Sequence, residues 1–544
     1  MSKYHPVNLA WDSIEWPKVI ERVRRVQRRI YKAKRNADVN RVYWLQKLLI
    51  KSPDAKLYSV LQVTTLNKDN KYIPRIDKTL RSENSVQGKE YKILLEELVK
   101  EKIYLTSQQK SSLAEQLSID GQSNQIVKKG LAKKPNKLES LVFPFILDKA
   151  KQALAKLALE AEWEALFEAN SYGFRPGRGP HDAMEALFLS LHHGTPKWIY
   201  AANVRKAFHH LDHDVLLAKL HTFPEMHKQI KSWLNSGLME EYSKMPCNTT
   251  FTREPEGSII APFLANVALH GLENSLREFV SDLHIPGFAN KIARSKSISI
   301  VRYGDDFVLL HRNPEVLKLC IEHTKFCLKE INLEIFSFVA PKCIVAKESG
   351  IKSCTQGFHF LGFQFIQIRK SPRQYHGKGG LYKILIRPSR EQVARFLLKV
   401  RKIIQTNKSE SAYALIVKLR PILVGWANYY RFCECSHIFA KVSYLIFQKL
   451  RAWTFRRSTR VNRTDLVRKY FPPNRTWYFQ NVPHKENWIL YGSQKTKKGR
   501  SEAFLPNISW VSSLKHVKVK GDKSPFDGDH LYWVNRSMKY SPFS

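Results

Sequence analysis

The ten residues VRYGDDFVLL (301–310) constrain the fold most strongly, because they place two adjacent acids between two apolar runs. Each run is long enough for a short strand, and Gly304 offers a turn between them, so the segment predicts a buried β-hairpin. Asp305 and Asp306 then lie at its tip, where like charges repel and each costs free energy to remove from water. A solvated turn or a bound divalent metal would relieve that cost, and the hairpin alone does not decide between them.

The charge balance indicates a polyanionic partner. The chain has 544 residues, with 90 Lys and Arg against 48 Asp and Glu, which gives a formal net charge of +42. A protein this basic repels itself unless a polyanion is near, so nucleic acid is the first expectation and an anionic membrane surface the second. The sequence offers no basic stretch with a lipid-facing side and no apolar run of roughly 20 residues. We therefore expect no membrane partner.

The ends of the chain and its cysteines bear on where it works. The first 20 residues have no apolar signal core and carry acids, which argues against a transit peptide. Seven cysteines form no disulfide framework, and Cys433 and Cys435 lack the second pair of a zinc site. We expect a reducing compartment in which the protein is also made. A chloroplast or another organelle that encodes it fits, and the bacterial cytoplasm is the alternative.

The length of the chain predicts two to four domains, and hydrophobic periodicity indicates an α+β mixture of helices and strands. We expect a single apolar helix from about Pro262 to Val280 and a loop-rich tail from residue 495. The other predicted elements are basic helices within 19–50, a long helix over 145–168, a helix ending near His192, a strand over 197–204, a helix over 314–330, strands through 368 and helices over 389–470.

Five motifs follow one another along the chain. In the first, glycines and prolines hold a loop open, from which Arg175 and Arg178 are expected to project and contact phosphates. A surface turn with solvated arginines is the alternative for that loop. The motifs are NSYGFRPGRGPHDA (170–183), EPEGSIIAPFLANVALHGLE (254–273), RYGDDFV (302–308), GFHFLGF (357–363) and LRPILVGWANYYR (419–431).

In this order the motifs resemble the reverse transcriptase–maturase proteins that group II introns encode, from about residue 60 to the end. The resemblance implies a right-hand polymerase fold with a helical thumb and a small basic C-terminal region. Many relatives continue into a zinc-bearing endonuclease domain, which we expect to be absent. The implied domains are a basic helical N-terminal extension (1–79), reverse-transcriptase-like fingers and palm (80–370), a thumb or maturase domain (385–480) and a DNA-binding-like remnant (495–544).

The resemblance also implies a Mg²⁺ site of three carboxylates, and one carboxylate is missing. Asp305 and Asp306 match the hairpin acids, but Asn203 stands where the family carries the catalytic Asp. Loss of a charged ligand from a two-metal site costs roughly a thousandfold or more in rate. Asp212 lies nine residues further on, about 30 Å in an extended chain, and is not expected to substitute. We expect Asp305 and Asp306 to be vestigial and to bind Mg²⁺ weakly at most.

Further departures fall on positions that contact the nucleotide or metal in the family. Glu139 and Ser140 replace an Arg-Pro pair, and Lys149 replaces a later Arg. A Glu there would repel a triphosphate. The remaining departures are His209 in place of Asp, Arg253 and Glu254 in place of Gly-Thr, and Glu256 in place of Gln.

The thumb-like segment and the tail carry the predicted RNA-binding residues. Aromatic side chains interleaved with arginines suit stacking on unpaired bases and contact with phosphates. For Trp426 we favour a core position. The predicted set is Arg175, Arg178, Lys418, Arg420, Tyr429, Tyr430, Arg431, Arg451, Arg456, Arg457, Lys515, His516, Lys518 and Lys520.

These features predict an intron maturase. Such a protein binds group II intron RNA and assists its folding and splicing, while the RNA performs phosphoryl transfer with its own Mg²⁺. The main alternative is an active RNA-dependent DNA polymerase that supports intron mobility, for which DNA would be a second partner. A nucleic-acid-binding protein of another fold would leave the order of the five motifs unexplained.

Overall fold

A computed structural model describes residues 11–65, 105–122, 139–192, 197–244, 258–343, 357–370, 382–457, 460–496 and 499–540. The α-helices are α1 (Trp16–Arg35), α2 (Val39–Lys51), α3 (Pro53–Thr65), α4 (Ser107–Gln116), α5 (Glu139–Glu164), α6 (Pro180–Leu191), α7 (His213–Leu220), α8 (Pro224–Asn235), α9 (Leu238–Lys244), α10 (Ala261–Ala268), α11 (Leu272–Asp282), α12 (Lys291–Ser297), α13 (Pro314–Lys329), α14 (Arg390–Thr406), α15 (Ala412–Tyr430), α16 (Ser436–Arg457), α17 (Arg463–Tyr470) and α18 (His530–Tyr540). The strands are β1 (Trp198–Asn203), β2 (Ser299–Tyr303), β3 (Asp306–His311), β4 (Ser337–Cys343), β5 (Phe358–Phe360), β6 (Phe363–Arg369), β7 (Tyr382–Pro388), β8 (Thr476–Phe479), β9 (Val482–Lys485), β10 (Tyr491–Thr496) and β11 (Gly499–Phe504).

The mixture of helices and strands confirms the predicted α+β class. The chain forms two compact units of interleaved sequence. Unit 1 contains Met1–Gly179, Tyr200–Pro341 and Val519–Trp533, and unit 2 contains Pro180–Ile199, Lys342–Lys518 and Val534–Ser544.

A four-stranded sheet in the order β2-β3-β1-β4 forms the centre of unit 1. Strands β2 and β3 pair antiparallel and meet at Tyr303 opposite Asp306, which confirms the predicted hairpin. Gly304 has a φ of 62° in its turn, a left-handed conformation that favours glycine. The sheet therefore brings the hairpin next to β1, the strand that ends at Asn203.

Helix α5 is the main helical support of unit 1, and α1, α2 and α3 pack against it. Its alanines and leucines, such as Ala150, Leu154 and Ala158, are fully buried. Helix α1 buries Val19, Val23 and Ile30 and leaves most of its arginines exposed. These elements confirm the predicted basic helices and the long helix that follows them, because the apolar residues recur at helical spacing.

The expected single helix from about Pro262 to Val280 is wrong, because two helices fill this span. Helix α10 ends at Ala268, and α11 begins at Leu272. Gly271 between them has a φ of 96°, a conformation that interrupts a right-handed helix. The Glu168 carboxylate accepts hydrogen bonds from the backbone N–H groups of Gly271 and Glu273, which fixes the start of the second helix.

Three of the sequence motifs interlock in unit 1. The backbone around Ser171 forms a parallel bridge with Arg302, beside the acidic hairpin. Asn266 on α10 donates a hydrogen bond of 2.7 Å to the Gly173 carbonyl, and its own side-chain oxygen accepts one from Arg302. A Cβ on Gly173 would lie 2.2 Å from the backbone nitrogen of Gly304. The motifs are thus joined by a backbone contact that only glycine permits.

Unit 2 contains the three-stranded sheet β5-β6-β7 and the helices α14 to α17. Trp426 on α15 is buried, with its ring 4.5 Å from that of Phe396, which confirms its predicted core position. The hydroxyl groups of Tyr429 and Tyr430 donate hydrogen bonds to the carbonyls of Leu361 and Gly362. These two tyrosines therefore fix the turn between β5 and β6.

The tail from residue 495 is loop-rich as expected, with an irregular segment over 511–529, but it also contains strand β11 and helix α18. Strands β10 and β11 pair from Tyr491 opposite Phe504 to Thr496 opposite Gly499. Gly492 permits the hairpin to approach α15, since a Cβ there would lie 2.4 Å from the backbone nitrogen of Tyr413. In the part of the chain that the structure describes, no helix is long and apolar enough to span a bilayer.

Substitution of Gly173 tests the interlock of the motifs. We expect Gly173→Ala to lower the free energy of unfolding by about 3 kcal/mol, because its Cβ collides with backbone that cannot move like a side chain. The matched control is Gly179→Ala, whose Cβ meets nothing within 4 Å. Chemical denaturation of both variants measures the difference, and equal stability would contradict the interlock.

Candidate functional site

The acidic hairpin and the end of β1 form one cluster, as the sequence predicted. The backbone N–H of Val204, directly after β1, donates a hydrogen bond of 3.2 Å to the carbonyl of Asp305. This contact places Asn203 beside the hairpin turn. Asp305 and Asn203 are buried, whereas Asp306 retains partial access to solvent.

The Asn203 side chain binds both acids as a hydrogen-bond donor. Its Nδ2 lies 3.1 Å from Oδ2 of Asp305 and 2.6 Å from Oδ1 of Asp306. Its Oδ1 accepts a hydrogen bond of 3.0 Å from the backbone N–H of Arg205. The network fixes the orientation of the amide, because the opposite orientation would place oxygen against two carboxylates and nitrogen against an N–H.

A guanidinium group neutralises the buried acid of the pair. Arg205 Nε lies 2.7 Å from Oδ2 of Asp305, and its NH2 nitrogen lies 3.0 Å from Oδ1. The hydroxyl of Tyr242 on α9 also donates to Oδ1 of Asp305, at 3.0 Å. The Arg205 guanidinium and the Tyr242 ring are 5.4 Å apart, within cation–π range. Asp305 is therefore held by a charge and by two further donors.

The second acid is protonated more easily than usual. Burial and the neighbouring charge of Asp305 raise the pKa of Asp306 to about 7, although Asn203 and Arg205 oppose this shift. Burial and the charge of Asp305 also raise the pKa of Tyr242 well above its ordinary value, so its hydroxyl remains a donor. At neutral pH the cluster thus carries little more negative charge than Arg205 balances.

This arrangement does not fit Mg²⁺. The ion requires oxygen ligands, preferably charged, in an octahedral set. Here the carboxylate oxygens face the amide nitrogen of Asn203 and the Arg205 guanidinium, which are donors. No group of three or more His, Cys, Asp or Glu residues that could hold a metal occurs among the described residues. We therefore derive no catalytic step through a metal.

The other departures from the family pattern are placed as follows. Asp212 caps α7 through hydrogen bonds from the backbone N–H groups of Asp214 and Val215, so it is engaged elsewhere. His209 is exposed and contacts the Lys206 carbonyl through Nδ1. Lys149 is half-buried on α5. The expectations for the side chains of Glu139 and Ser140, and for Arg253, Glu254 and Glu256, lie outside the described residues.

The predicted RNA-binding residues fall into three groups by exposure. The exposed ones are Lys418, Arg420, Arg451, Arg456, Lys515 and Lys520. The half-buried ones are Arg178, Tyr429, Arg457 and Lys518, and the buried ones are Arg175, Tyr430, Arg431 and His516.

The expectation that Arg175 projects from its loop is wrong. Its side chain is 5% exposed and forms two hydrogen bonds with the Glu164 carboxylate, at 2.7 and 3.0 Å. It also donates to the carbonyls of Glu168 and Ser171. Arg178 donates to the carbonyls of Ala169, Gly521 and Lys523. Arg175 thus holds the backbone at the start of its own loop, and Arg178 joins this loop to the segment at 521–523.

Three further predicted residues have internal partners in unit 2. Arg431 donates to the Ser512 carbonyl at 3.1 Å and to its hydroxyl. His516 contacts the Asp182 carboxylate at 3.2 Å, and Arg536 donates to the same carboxylate at 2.6 Å. Tyr430 holds the β5–β6 turn, as described above. The pattern of aromatics and arginines that suggested RNA contact is, at these positions, a pattern of internal packing.

Sequence reasoning missed Arg205 and Tyr242. Arg205 follows Asn203 by two residues in a short 3-10 helix that returns its side chain to Asp305. The proximity of an arginine to the substituted position was a signal for a counter-charge. Tyr242 reaches the cluster from α9 through tertiary packing, and no local pattern in the sequence marks it.

Comparisons with known proteins identify the families that this chain resembles. Residues 127–365 match the family of reverse transcriptases (RNA-dependent DNA polymerases), and residues 11–94 match the N-terminal domain of reverse transcriptase. Residues 393–471 match the group II intron maturase-specific domain. Matches to the reverse transcriptase and maturase-specific families thus follow one another along the chain. The predicted resemblance to group II intron-encoded reverse transcriptase–maturase proteins is confirmed.

The curated relatives include proteins of introns and maturase-like proteins. The "Uncharacterized 91 kDa protein in cob intron" of Schizosaccharomyces pombe is 32% identical over 28% of this chain and 18% of its own length. The "Group II intron-encoded protein LtrA" of Lactococcus lactis is 29% identical over 26% of this chain and 23% of its own length. The match thus spans about a fifth of each relative. "Maturase-like protein 1" of Euglena gracilis is 24% identical over 79% of both chains.

Reversion of Asn203 tests the donor role of its amide. We expect Asn203→Asp to lower the free energy of unfolding by about 3 kcal/mol without divalent ions, because a third buried carboxylate would replace a donor to two others. Asn290→Asp is the control, since the exposed Asn290 caps α12 through an oxygen that Asp retains. Denaturation in the presence of a chelator measures both variants. A reversion that leaves stability unchanged would exclude this role.

The raised pKa of Asp306 predicts a pH dependence of stability. A folded-state pKa of about 7 against an unfolded value of about 3.9 means that the folded state binds the proton more tightly. The resulting stabilisation is fully present below about pH 4 and is lost as the pH rises through 7. We expect the free energy of unfolding of Asp306→Asn to fall less between pH 5 and about pH 8 than that of the natural chain. Parallel slopes would show that Asp306 titrates normally.

Proposed function

We propose that this chain is an intron maturase. It binds group II intron RNA and assists its folding and splicing, and it has lost reverse transcriptase activity. The maturase-specific match at residues 393–471 and the intron-encoded relatives support the first part. The Asn203 amide, which directs donors at both acids where the family has a third carboxylate, supports the second. The RNA would supply its own Mg²⁺ for phosphoryl transfer.

The charge of α16 carries the proposal of RNA binding. This helix of 22 residues contains five Lys and Arg residues and no Asp or Glu. Arg451 and Arg456 are exposed on it, as is Tyr444. Helix α14 packs against it and adds exposed cations such as Arg395 and Lys399. An exposed surface of this composition suits the phosphates of a folded RNA, which proteins recognise mainly through shape and backbone contacts.

The proposal includes the finer architecture that the resemblance implies. In it, α1 to α3 belong to the N-terminal extension, residues 80–370 with the sheet β2-β3-β1-β4 form the fingers and palm, and α14 to α17 form the thumb. The thumb would present the α14–α16 surface to RNA. The relatives come from a bacterium and from eukaryotes, which fits an organelle or a bacterial cytoplasm as the place of action.

A second candidate function is RNA-dependent DNA synthesis in support of intron mobility. The match of residues 127–365 to reverse transcriptases favours it. It would require the cluster to bind Mg²⁺ with Asn203 in place of a carboxylate, and DNA would then be a further partner. The donors that face Asp305 and Asp306 count against it.

The RNA interface is tested by removing two exposed charges from α16. We expect Arg451→Gln with Arg456→Gln to weaken binding to the group II intron RNA. The slope of log affinity against log salt concentration should become shallower by about two, because about two phosphate contacts are lost. Splicing in the presence of this variant should require more protein. The matched control is Lys291→Gln with Lys296→Gln, which removes two exposed charges from α12.

Equilibrium binding across a salt series separates the outcomes. Loss of affinity in the α16 variant alone supports the proposed surface. Equal loss of affinity in both variants would show that net charge alone causes the effect. No loss of affinity in either variant would mean that α16 is not the interface. A natural chain that neither binds the intron RNA nor promotes its splicing would refute the function itself.

A further inference from the structure

Two phenylalanines are exposed beside the acidic cluster. Phe336 is 55% exposed and Phe338 is 63% exposed, on the segment that enters strand β4. Phe336 directly precedes β4, and Phe338 lies within it two residues further on. The backbone N–H of Phe336 donates to the Asn203 carbonyl at 3.1 Å, which fixes this segment next to β1. In the order of the described sheet, β4 is an edge strand.

A cation already lies over one of these rings. Lys206 Nζ is 3.9 Å from the centroid of Phe336, well within cation–π range. Lys206 is exposed, and among the described residues no carboxylate lies within ion-pair distance of it. His209 and His210 follow on the same 3-10 helix, both exposed, with ring centroids 3.6 Å apart.

The ring of Phe338 packs against a buried tyrosine. The ring of Phe338 lies 5.9 Å from that of Tyr200, which is buried in β1. The contact leaves the outer side of Phe338 exposed while the buried ring limits its movement. Phe338 thus presents an exposed apolar face on a ring that is held in place.

We propose that Phe336, Phe338 and Lys206, here called the aromatic platform, stack unpaired nucleotides of RNA. A base would lie on the exposed side of Phe338, and Lys206, whose ammonium already covers the Phe336 ring, would hold the adjoining phosphate. The inference rests on the proposed function, since it names a second place at which the chain contacts its RNA. It assigns a role to two phenylalanines that lie outside the five motifs.

The chemistry of the platform selects a nucleotide over an apolar peptide. Base–aromatic stacking tolerates any sequence because every base has a π-face, and a cation beside the ring binds the backbone that follows. An apolar peptide that buried the two rings would also remove the Lys206 ammonium from water. That costs free energy, because no carboxylate among the described residues pairs with it. The net charge of +42 further favours an anionic ligand.

The experiment uses the full chain and two single-stranded probes of equal length. One is a uridine 12-mer, and the other carries the same phosphates on abasic riboses. The ratio of their affinities isolates stacking, because the electrostatic contribution is shared. We expect Phe336→Ala with Phe338→Ala to reduce this ratio about tenfold or more. The control is Phe326→Ala, a phenylalanine of 61% exposure on α13.

Photocrosslinking with 5-iodouridine RNA identifies the site directly. We expect crosslinks on the peptide that contains Phe336 and Phe338, and we expect Lys206→Met to reduce them. Crosslinks confined to other peptides, or an affinity ratio that the double variant leaves unchanged, would overturn the proposal. The proposal would also be overturned if the double variant lost self-association, measured by sedimentation, while its RNA binding was unchanged.

The outcomes remain distinct from those for the proposed function. If the platform variant binds both probes normally while the α16 variant loses the intron RNA, the platform is refuted and the maturase proposal stands. If the natural chain binds neither the probes nor the intron RNA, both fail.

Discussion

The backbone contact between Gly173 and Gly304 is the constraint on which the rest of unit 1 depends. It joins the loop after α5 to the acidic hairpin so closely that a single added methyl group would prevent the contact. Asn266 and Arg302 complete the junction with buried hydrogen bonds. Because one hydrogen-bonded junction sets the position of the hairpin, it also determines where Asp305 and Asp306 meet the end of β1. Three motifs that are far apart in sequence thus serve one packing requirement.

Within that frame, the acids have acquired internal partners. A polymerase of the two-metal type leaves such oxygens available to cations and substrate. Here an amide donates to both acids, and Arg205 and Tyr242 bind Asp305. Buried charges are tolerated when they are paired in this manner. Under the proposed function the hairpin serves as structure, the protein contributes a charged surface, and the bound RNA contributes the chemistry.

The sequence predicted the elements that local patterns encode and missed the contacts that folding creates. Alternation and a glycine turn were sufficient for the hairpin, and helical spacing was sufficient for α1 and α5. The break at Gly271 was visible as a glycine within an apolar run, but its φ of 96° depends on Glu168, far away in sequence. Arg175 was expected to project because no local pattern marks its partner Glu164, which lies 11 residues earlier at the end of α5. The residues at Asn203 and the hairpin were correctly brought together, whereas the Arg205 counter-charge required the tertiary structure.

The most direct test of the central claim is primer extension by the natural chain, with Mg²⁺ and an RNA template that carries an annealed DNA primer. The same preparation must first bind group II intron RNA, so that a lack of product cannot result from misfolding. We predict RNA binding without cDNA, because Asn203 and Arg205 present donors to the acids that would hold the metal. Clear cDNA synthesis would contradict this account and would show that Asn203 serves in a working metal site.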